Sequence, residues 1–564
     1  MTADELRAAA AAWIAADPDP VTRAQLEELL RTGDDERLAD HVGRRLAFGT
    51  AGLRGPLGPG PNRVNRLVVR QTAAGLAQAL PAHGSRDGEG APLRVVVGHD
   101  ARHRSADLAA DAIDVLSARG TEVHAFEGPV PTPLAAVAVR LLDADAGVVV
   151  TASHNPAGDN GVKVYLADGA QLRPPDDAAI AAAIEEVAAT DPEVAATPGA
   201  RRGAVVPAGI ATVGGLTDAY VARAVSLGAG PPARPVPLAL TALHGVGADL
   251  ATRVLSDAGH GPLHWVASQR EPDPDFPTTP SPNPEEPGVM DAVTGLARSV
   301  GAAVALALDP DADRLAVAAP DRAGRWRTLT GDEVGALLAE HLLGRPDPLR
   351  RHDRFVATTV VSSRLVQRVA AAHHARVVET LTGFKWLSRP GLEHPTWTQV
   401  LLYEEALGYA VGADARDKDG ITAALVAADL VALLAPDGRT LPDVLDDLAR
   451  RHGAHVTRNG SLRVSGPGHE ARLAGLVDRL LASPPTRLGG RPVVRTDRPA
   501  PDVLRLWDDL DTRVAVRPSG TEPKLKHYCE AVVEVPDGAD PDEARAEAAR
   551  RLDAVVADLD ALLV

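Results

Sequence analysis

The 564-residue chain predicts an α/β fold: three related mixed-sheet α/β modules followed by a smaller α+β unit. Three observations carry this. Short apolar runs alternate with segments of helical periodicity, the pattern of strand–loop–helix units in a mostly parallel sheet. Hydrophobic residues make up 45% of the chain but aromatics only 3%, so Ala, Val and Leu must pack the cores. The apolar runs end repeatedly in polar loops: TASHNP at 151–156, LHG at 243–245, DPDAD at 309–313, TGFK at 382–385, EEALG at 404–408 and RPSGT at 517–521. The length suggests roughly three to five domains, and boundaries are placed to give segments 1–210, 211–322, 323–436 and 437–564.

In chain order, residues 1–46 read as two helices broken at Asp17–Pro20. Residues 67–80 read as a helix, 81–92 as a Gly-rich surface loop and Leu93–Val97 as a strand ending in Gly98-His99-Asp100. A helix at 105–119, a strand at Glu122–Phe126 and the Pro129–Pro133 segment follow. The valines after Gly147 form a buried strand, Asn155-Pro156 a turn and Val162–Tyr165 a second run. An Ala-rich helix spans 174–190, and a Pro/Gly/Arg linker covers 189–203. Helical periodicity resumes at Leu216–Ser226. Strands are expected at Val236–Thr241 and Ala302–Leu308, separated by an extended surface segment, Glu271–Pro287, whose prolines bar regular structure. Gly331 opens a helix. Strands at Arg354–Val361, Arg376–Thr380 and Leu401–Tyr403 precede an apolar helix at Ile421–Leu434. The last unit carries helices at 441–452, 470–482 and 541–562, with a strand at Thr512–Val516.

Composition excludes several classes. No apolar run is expected to span a bilayer, and the N-terminus lacks the basic start of a signal peptide. The single cysteine, Cys529, excludes a disulfide framework and a cysteine-built zinc site, so a cytoplasmic protein is expected. A net charge of −17 argues against nucleic-acid binding. Arginine supplies nearly every cation: only Lys163, Lys385, Lys418, Lys524 and Lys526 are lysines. Each sits beside a Gly-rich or polar loop, where a compact ammonium can meet a phosphate as a point charge.

The chemistry concentrates in a few loops. Ser153 and His154 stand where a strand leaves the core, a place that suits either a turn cap or a nucleophile. Asp309, Asp311 and Asp313 leave the next strand at alternate positions. Two like charges about 4 Å apart cost ~1 kcal/mol in water and ~4 at an effective dielectric of ~20. The cluster therefore wants a cation, and all-oxygen ligands suit Mg²⁺; a solvated acidic turn is the plainer alternative. Glycines around Arg54 offer backbone amides and a guanidinium to one anion. Glu404 and Glu405 read equally as acceptors for sugar hydroxyls and as a solvated helix start. Lys418 lies near a helix N-terminus, a ready anion site. Arg517, Ser519, Gly520 and Thr521 make a cradle for a phosphate dianion, with Glu522 the misfit. A serine beside an acid triad and a separate anion cradle point to phosphoryl transfer through a phosphoserine.

TASHNP, DPDADR, EEALG and RPSGTEPK occur here in the order in which they run through the α-D-phosphohexomutases, and the chain resembles that superfamily over almost its whole length. The segments GTAGLRG, TGFKW and EEALGY…DKDG are most similar to the branch holding phosphoglucomutases and phosphopentomutases of the mammalian type. The resemblance implies four modules around one central cleft, the last closing over it. It implies Ser153 as the phosphoserine, with Mg²⁺ held by its phosphate and by Asp309, Asp311 and Asp313. His154 and Lys163 would assist proton transfer, with Arg54 and Arg314 steadying the transferring phosphoryl. Glu404 and Glu405 would bind sugar hydroxyls, with Lys385, Lys418 and the His244 loop nearby. Arg517, Ser519, Gly520 and Thr521 would hold the non-reacting phosphate. The partner is then a small phosphosugar, with glucose 1,6-bisphosphate as intermediate and activator, acting on a monomer or homodimer.

The expected reaction interconverts the 1- and 6-phosphates of glucose. Ala406 stands where many glucose-specific members carry a serine, which keeps mannose phosphate and pentose 1-phosphates as alternative substrates. A sugar-bisphosphate synthase and a non-catalytic phosphosugar-binding regulator are the rival functions.

Overall fold

The computed structural model describes residues 1–49, 52–80, 91–192, 194, 205–207, 213–279, 281–346, 353–463, 469–518 and 524–563. The expected Gly-rich loop at 81–92 and linker at 189–203 fall largely outside these. The chain forms two compact units, Met1–Ala318 with Gly408–Ala432, and Ala319–Leu407 with Leu433–Val564.

The first unit opens with three helices rather than two: Ala3–Ala16, Pro20–Thr32 and Asp35–Val42. The extra break has a local cause, because Gly33 is left-handed (φ +70°) and Asp34 caps the next helix by accepting from Arg37 N. Its first sheet is mixed. Arg94–His99 pairs in parallel with Glu122–Ala125 and with Ala146–Val150, which pairs antiparallel with Asp159–Leu166. Leu53–Pro56 completes that edge, antiparallel to Asp159–Leu166 with Arg54 opposite Gly161. The backbones approach closely enough that a Cβ on Gly161 would lie 2.3 Å from Leu53 O. Ala146–Val150 is buried at every residue, which is why it reads as a continuous apolar run rather than an alternating one. A second sheet sets Leu238–Thr241 parallel to Leu263–Trp265 and Val304–Leu308.

In the second unit, Arg354–Thr359 pairs in parallel with Arg376–Thr380 and with Thr398–Glu404. The helix Gly331–Gly344, expected to open at Gly331, starts at a capping box formed by Thr330 and Glu333. A separate sheet is antiparallel throughout: Ala454–Arg463, Lys524–Val533, Arg513–Pro518, Val503–Asp508, Arg491–Ala500 and Arg487–Leu488, in spatial order. The helices His469–Ala482 and Pro541–Leu563 supply Leu476, Leu552, Val555 and Leu559 to its core. The fold is thus mixed α/β with an α+β C-terminal part, as expected.

Hydropathy gives one correction. The 18 residues Gly420–Asp437, of mean hydropathy 1.6, are long and apolar enough by composition to cross a membrane, where the sequence predicts no such run. In the fold 78% of this segment is buried, the condition of a core helix.

Candidate active site

All of the strongest sequence candidates lie in the first unit. Ser153 follows the strand Ala146–Val150, is 2% exposed and adopts φ +51°, a left-handed conformation that costs a non-glycine residue roughly 1–2 kcal/mol. Its neighbours hold it there. Ser153 N donates to Thr151 Oγ1 at 2.9 Å, and Thr151 Oγ1 donates to Asp100 at 2.6 Å. The Arg102 guanidinium donates to the carbonyls of Ser153, Asn155, Pro156 and Asp159. Arg102 is itself paired with Asp100 and lies over the Phe276 ring. One buried cation thus gathers the whole loop. The Ser153 Oγ donates to Asp309 Oδ2 at 2.8 Å and lies 3.2 Å from His154 Nδ1.

The acid loop leaves Val304–Leu308. Asp309, Asp311 and Asp313 are fully buried, with ligand-capable oxygens all within 4.8 Å of one another. Ala312 turns the loop with φ +60°. Lys163 Nζ bridges Asp311 and Asp313 at 2.7 Å each, and Lys418 Nζ stands 3.4 Å from Asp313 Oδ2. Thr132 grips Asp311 at both ends, its hydroxyl on Oδ2 at 2.6 Å and its N–H on the backbone carbonyl at 3.0 Å. Asp311 Oδ1 and Asp313 Oδ1 are buried and accept no hydrogen bond among the described residues. Orphaned anionic oxygens are costly, and a divalent cation fits them.

The electrostatics follow from this crowding. Burial, then the Asp311 and Asp313 charges, pushes the Asp309 carboxyl well above the usual range. Burial, with Arg314 and Arg54, holds the His154 imidazole well below its ordinary value, so it is neutral near pH 7. Burial works against the Lys163 ammonium, but Asp311 and Asp313 outweigh it and raise its pKa. Arg54 donates to Asn155 Oδ1 at 3.1 Å, while Arg314 N donates to Asp309 Oδ1 at 2.9 Å. His244, left-handed at φ +60°, bonds Thr278 at 2.8 Å; the next residue, Gly245, packs so tightly on the acid loop that a Cβ would meet Pro310 O at 2.2 Å.

The remaining candidates lie in the second unit. Lys385 sits in the short helix Phe384–Leu387, which follows Gly383 at φ +102°. The adjacent acids Glu404 and Glu405 part company. Glu404 ends the strand half-buried, whereas Glu405 is buried and its Oε2 accepts from Thr359 (3.2 Å) and Ser362 (3.0 Å). Arg517 closes the strand Arg513–Pro518. Burial opposes its charge, but Tyr528, Glu405 and Glu404 together raise its pKa. Ser519, Gly520 and Thr521 lie outside the described residues.

Sequence reasoning passed over Arg102, Thr132, Tyr165 and Asp417. Tyr165 Oη and Gln171 Nε2 donate to Asp417 Oδ2, at 2.7 and 2.8 Å, and Asp417 Oδ1 takes Lys418 Nζ at 3.1 Å. Asp417 therefore orients the lysine beside it. The only local signal was the polar cluster of each loop; the partners lie up to 252 residues away.

A strained serine facing an acid loop that asks for a cation, with ammonium groups on the far carboxylates, is the equipment of an enzyme that moves phosphoryl groups. The sequence matches phosphoglucomutase/phosphomannomutase α/β/α domain I over residues 45–191, domain II over 218–324 and domain III over 330–452. It is 37% identical over 488 residues to a "probable phosphomannomutase" of Haemophilus influenzae, covering 85% of this chain and 95% of the relative. It is 32% identical to the phosphopentomutase of Mus musculus (95% and 92%) and 29% identical to a phosphoglucomutase of Staphylococcus epidermidis (92% and 95%). The fold is shared with a phosphoglucomutase/phosphomannomutase family protein of Burkholderia thailandensis, with a TM-score of 0.67 at 22% identity over 91% and 97% of the two chains. The chain belongs to the phosphoglucomutase/phosphomannomutase family and is a phosphosugar mutase, an isomerase that works by intramolecular phosphotransfer.

Proposed function

We propose that this mutase moves phosphate between C1 and C6 of glucose, through a phosphoserine at Ser153 and a glucose 1,6-bisphosphate intermediate. The observation that carries the mechanism is the 2.8 Å contact of Ser153 Oγ with Asp309, at the mouth of an acid loop with two orphaned oxygens. In the forward direction, the C6 hydroxyl of glucose 1-phosphate attacks phosphorus on Ser153. The bond to Oγ breaks as the new P–O bond forms, and the hydroxyl proton passes to the protein. The bisphosphate reorients, Ser153 Oγ takes the C1 phosphoryl, and the proton returns to the C1 oxygen. His154 is the group best placed to carry that proton, because Nδ1 lies 3.2 Å from Oγ whereas Lys163 is committed to Asp311 and Asp313. Arg54 and Arg314 steady the phosphoryl group. Asp309, Asp311 and Asp313 would hold Mg²⁺, which would supply charge neutralisation of the phosphoryl oxygens. Glu404, Lys385, Lys418 and the His244 loop bind the sugar, and Arg517 with Ser519, Gly520 and Thr521 binds the idle phosphate.

Glucose is favoured by phosphoglucomutase relatives that match 92% of the chain. A second reading, ribose or deoxyribose 1-phosphate by the same chemistry, is favoured by Ala406 and by the phosphopentomutase match over 95% of the chain. On either reading the enzyme is cytoplasmic, a monomer or homodimer, and acts on a small phosphosugar without nucleic acid or membrane. Replacing Ser153 with Ala should abolish both turnover and incorporated phosphate; a fully active variant would overturn the mechanism. A coupled assay on glucose, mannose and pentose 1-phosphates, primed with a trace of bisphosphate, decides the sugar.

A further inference from the structure

Outside the catalytic loops, the first unit contains a pocket of about 210 Å³ between the helix Thr132–Leu141 and the 414–419 loop. None of Ser153, His154, Arg54, Arg314 or the acid loop lines it. Its polar wall is built from Arg140, Arg223, Arg416 and Lys418, set against Asp414, Asp417 and Asp419. All three of these acids are already engaged. Asp414 takes Arg140, and Asp417 takes Tyr165, Gln171 and Lys418. Asp419 Oδ1 caps the helix Gly420–Leu434 through Ile421 N and Thr422 N and also accepts from Tyr220 Oη.

Arg223 is the residue left over. All three nitrogens of its guanidinium are buried and make no hydrogen bond among the described residues, and the Asp419 Oδ2 it pairs with lies 3.8 Å away and accepts none there either. A buried guanidinium with no hydrogen bond is strongly unfavourable unless an anion meets it. The wall carries one more cation than carboxylate, and arginine forks match the oxygens of a phosphate group.

We propose that this pocket is a second anion site, which takes the phosphate group of inorganic phosphate or of a phosphosugar and is separate from the site at Ser153. Arg223 is its anchor and Arg140 and Arg416 flank it. The volume of about 210 Å³ is several times that of a phosphate group, so part of an attached sugar can share the pocket. The site is coupled to the acid loop through one residue. Lys418 lines the pocket and also reaches Asp313, so an anion bound here draws on the charge that Asp313 otherwise sees. Phosphate should therefore inhibit in two ways, competitively where the substrate binds and non-competitively from this pocket.

The test is calorimetric titration of the full-length, Mg²⁺-loaded protein with inorganic phosphate, beside Arg223→Met, with Arg140→Met as the alternative if the first variant fails to fold. The wild type should bind one phosphate more than the variant, or bind it at least about tenfold more tightly, the loss expected for one charge-assisted guanidinium contact. The non-competitive part of phosphate inhibition should vanish in the variant. A second arm with glucose 6-phosphate distinguishes the sources. Competition with inorganic phosphate for the extra site shows that the ester is accepted, and no competition restricts the site to the free anion. Equal stoichiometry, affinity and inhibition pattern in a folded variant would overturn the proposal, whatever sugar the enzyme proves to isomerise.

Discussion

Both units bury clusters of carboxylates, and they do so in opposite ways. In the second unit, Glu530 Oε1 accepts from Ser363 Oγ (2.7 Å), Arg364 N (2.8 Å) and His455 (2.9 Å), its Oε2 accepts from Arg364 Nε (2.7 Å), and Arg513 stands 3.4 Å away. Against the penalty of burial, His455, Arg513 and Arg364 hold its carboxyl far below the usual range. Asp332 and Glu405 are likewise met by Ser363 N and by hydroxyls. In the first unit, Asp311 and Asp313 keep one oxygen each with no donor among the described residues. Satisfied acids belong to the architecture, whereas acids left short of partners mark the place where a ligand must come.

The contrast can be broken most forcefully at the metal. Chelation should cut turnover by ~10³-fold or more, the equivalent of several kcal/mol of transition-state stabilisation. Added Mg²⁺ should restore the wild type but not Asp311→Asn in the coupled assay. The matching change in the second unit should behave differently. Glu530→Gln leaves the fully buried Arg513 without its anion, while Arg364 keeps Asp511, and should cost ~3–5 kcal/mol in urea unfolding, with kcat of the folded protein little changed.

A pH series sharpens the comparison further. Burial raises the Asp332 carboxyl from its ordinary 3.8 to about 7. The folded state therefore holds a proton that the unfolded state releases, and stability falls as pH rises from about 4 to about 7, by ~4 kcal/mol at most. Asp332→Asn should flatten that slope in Tm measurements and melt higher than wild type above pH 7. The smallest effect is the most diagnostic. Without metal, Asp309→Asn relieves repulsion within the acid loop and should raise Tm by the equivalent of ~1 kcal/mol, while abolishing activity. A fall in Tm there would mean that the loop is as self-sufficient as the Glu530 cluster.

Much of this was legible in the sequence, and the limits have physical causes. The alternate aspartates at 309–313 could be read because three like charges at the end of an apolar run are costly without a cation. The helix at Gly331 could be read because a helix start is set by residues adjacent in sequence. The pair Glu404–Glu405 could not, since adjacency in sequence says nothing of which acid turns inward towards Thr359 and Ser362. Arg102 was equally invisible, because its value lies in carbonyls 51 or more residues away. The third N-terminal helix was missed for a smaller reason: Gly33-Asp34 is a stop and a start compressed into two residues.

The order in which the two units are threaded has a consequence for biosynthesis. The first unit is interrupted, since its final piece, Gly408–Ala432, follows 89 residues, Ala319–Leu407, that belong to the second. Lys418 and Asp417 thus emerge from the ribosome long after Ser153, Lys163 and the aspartates they serve. Until then the acid loop has Lys163 but not Lys418, and the nascent chain carries this cluster of three carboxylates under-neutralised. Folding of the catalytic half must wait for chain that belongs to the other half, a high-contact-order arrangement that slows folding and leaves apolar surface exposed for longer. Pauses in translation between residues 319 and 432 are where misfolding of this protein should concentrate.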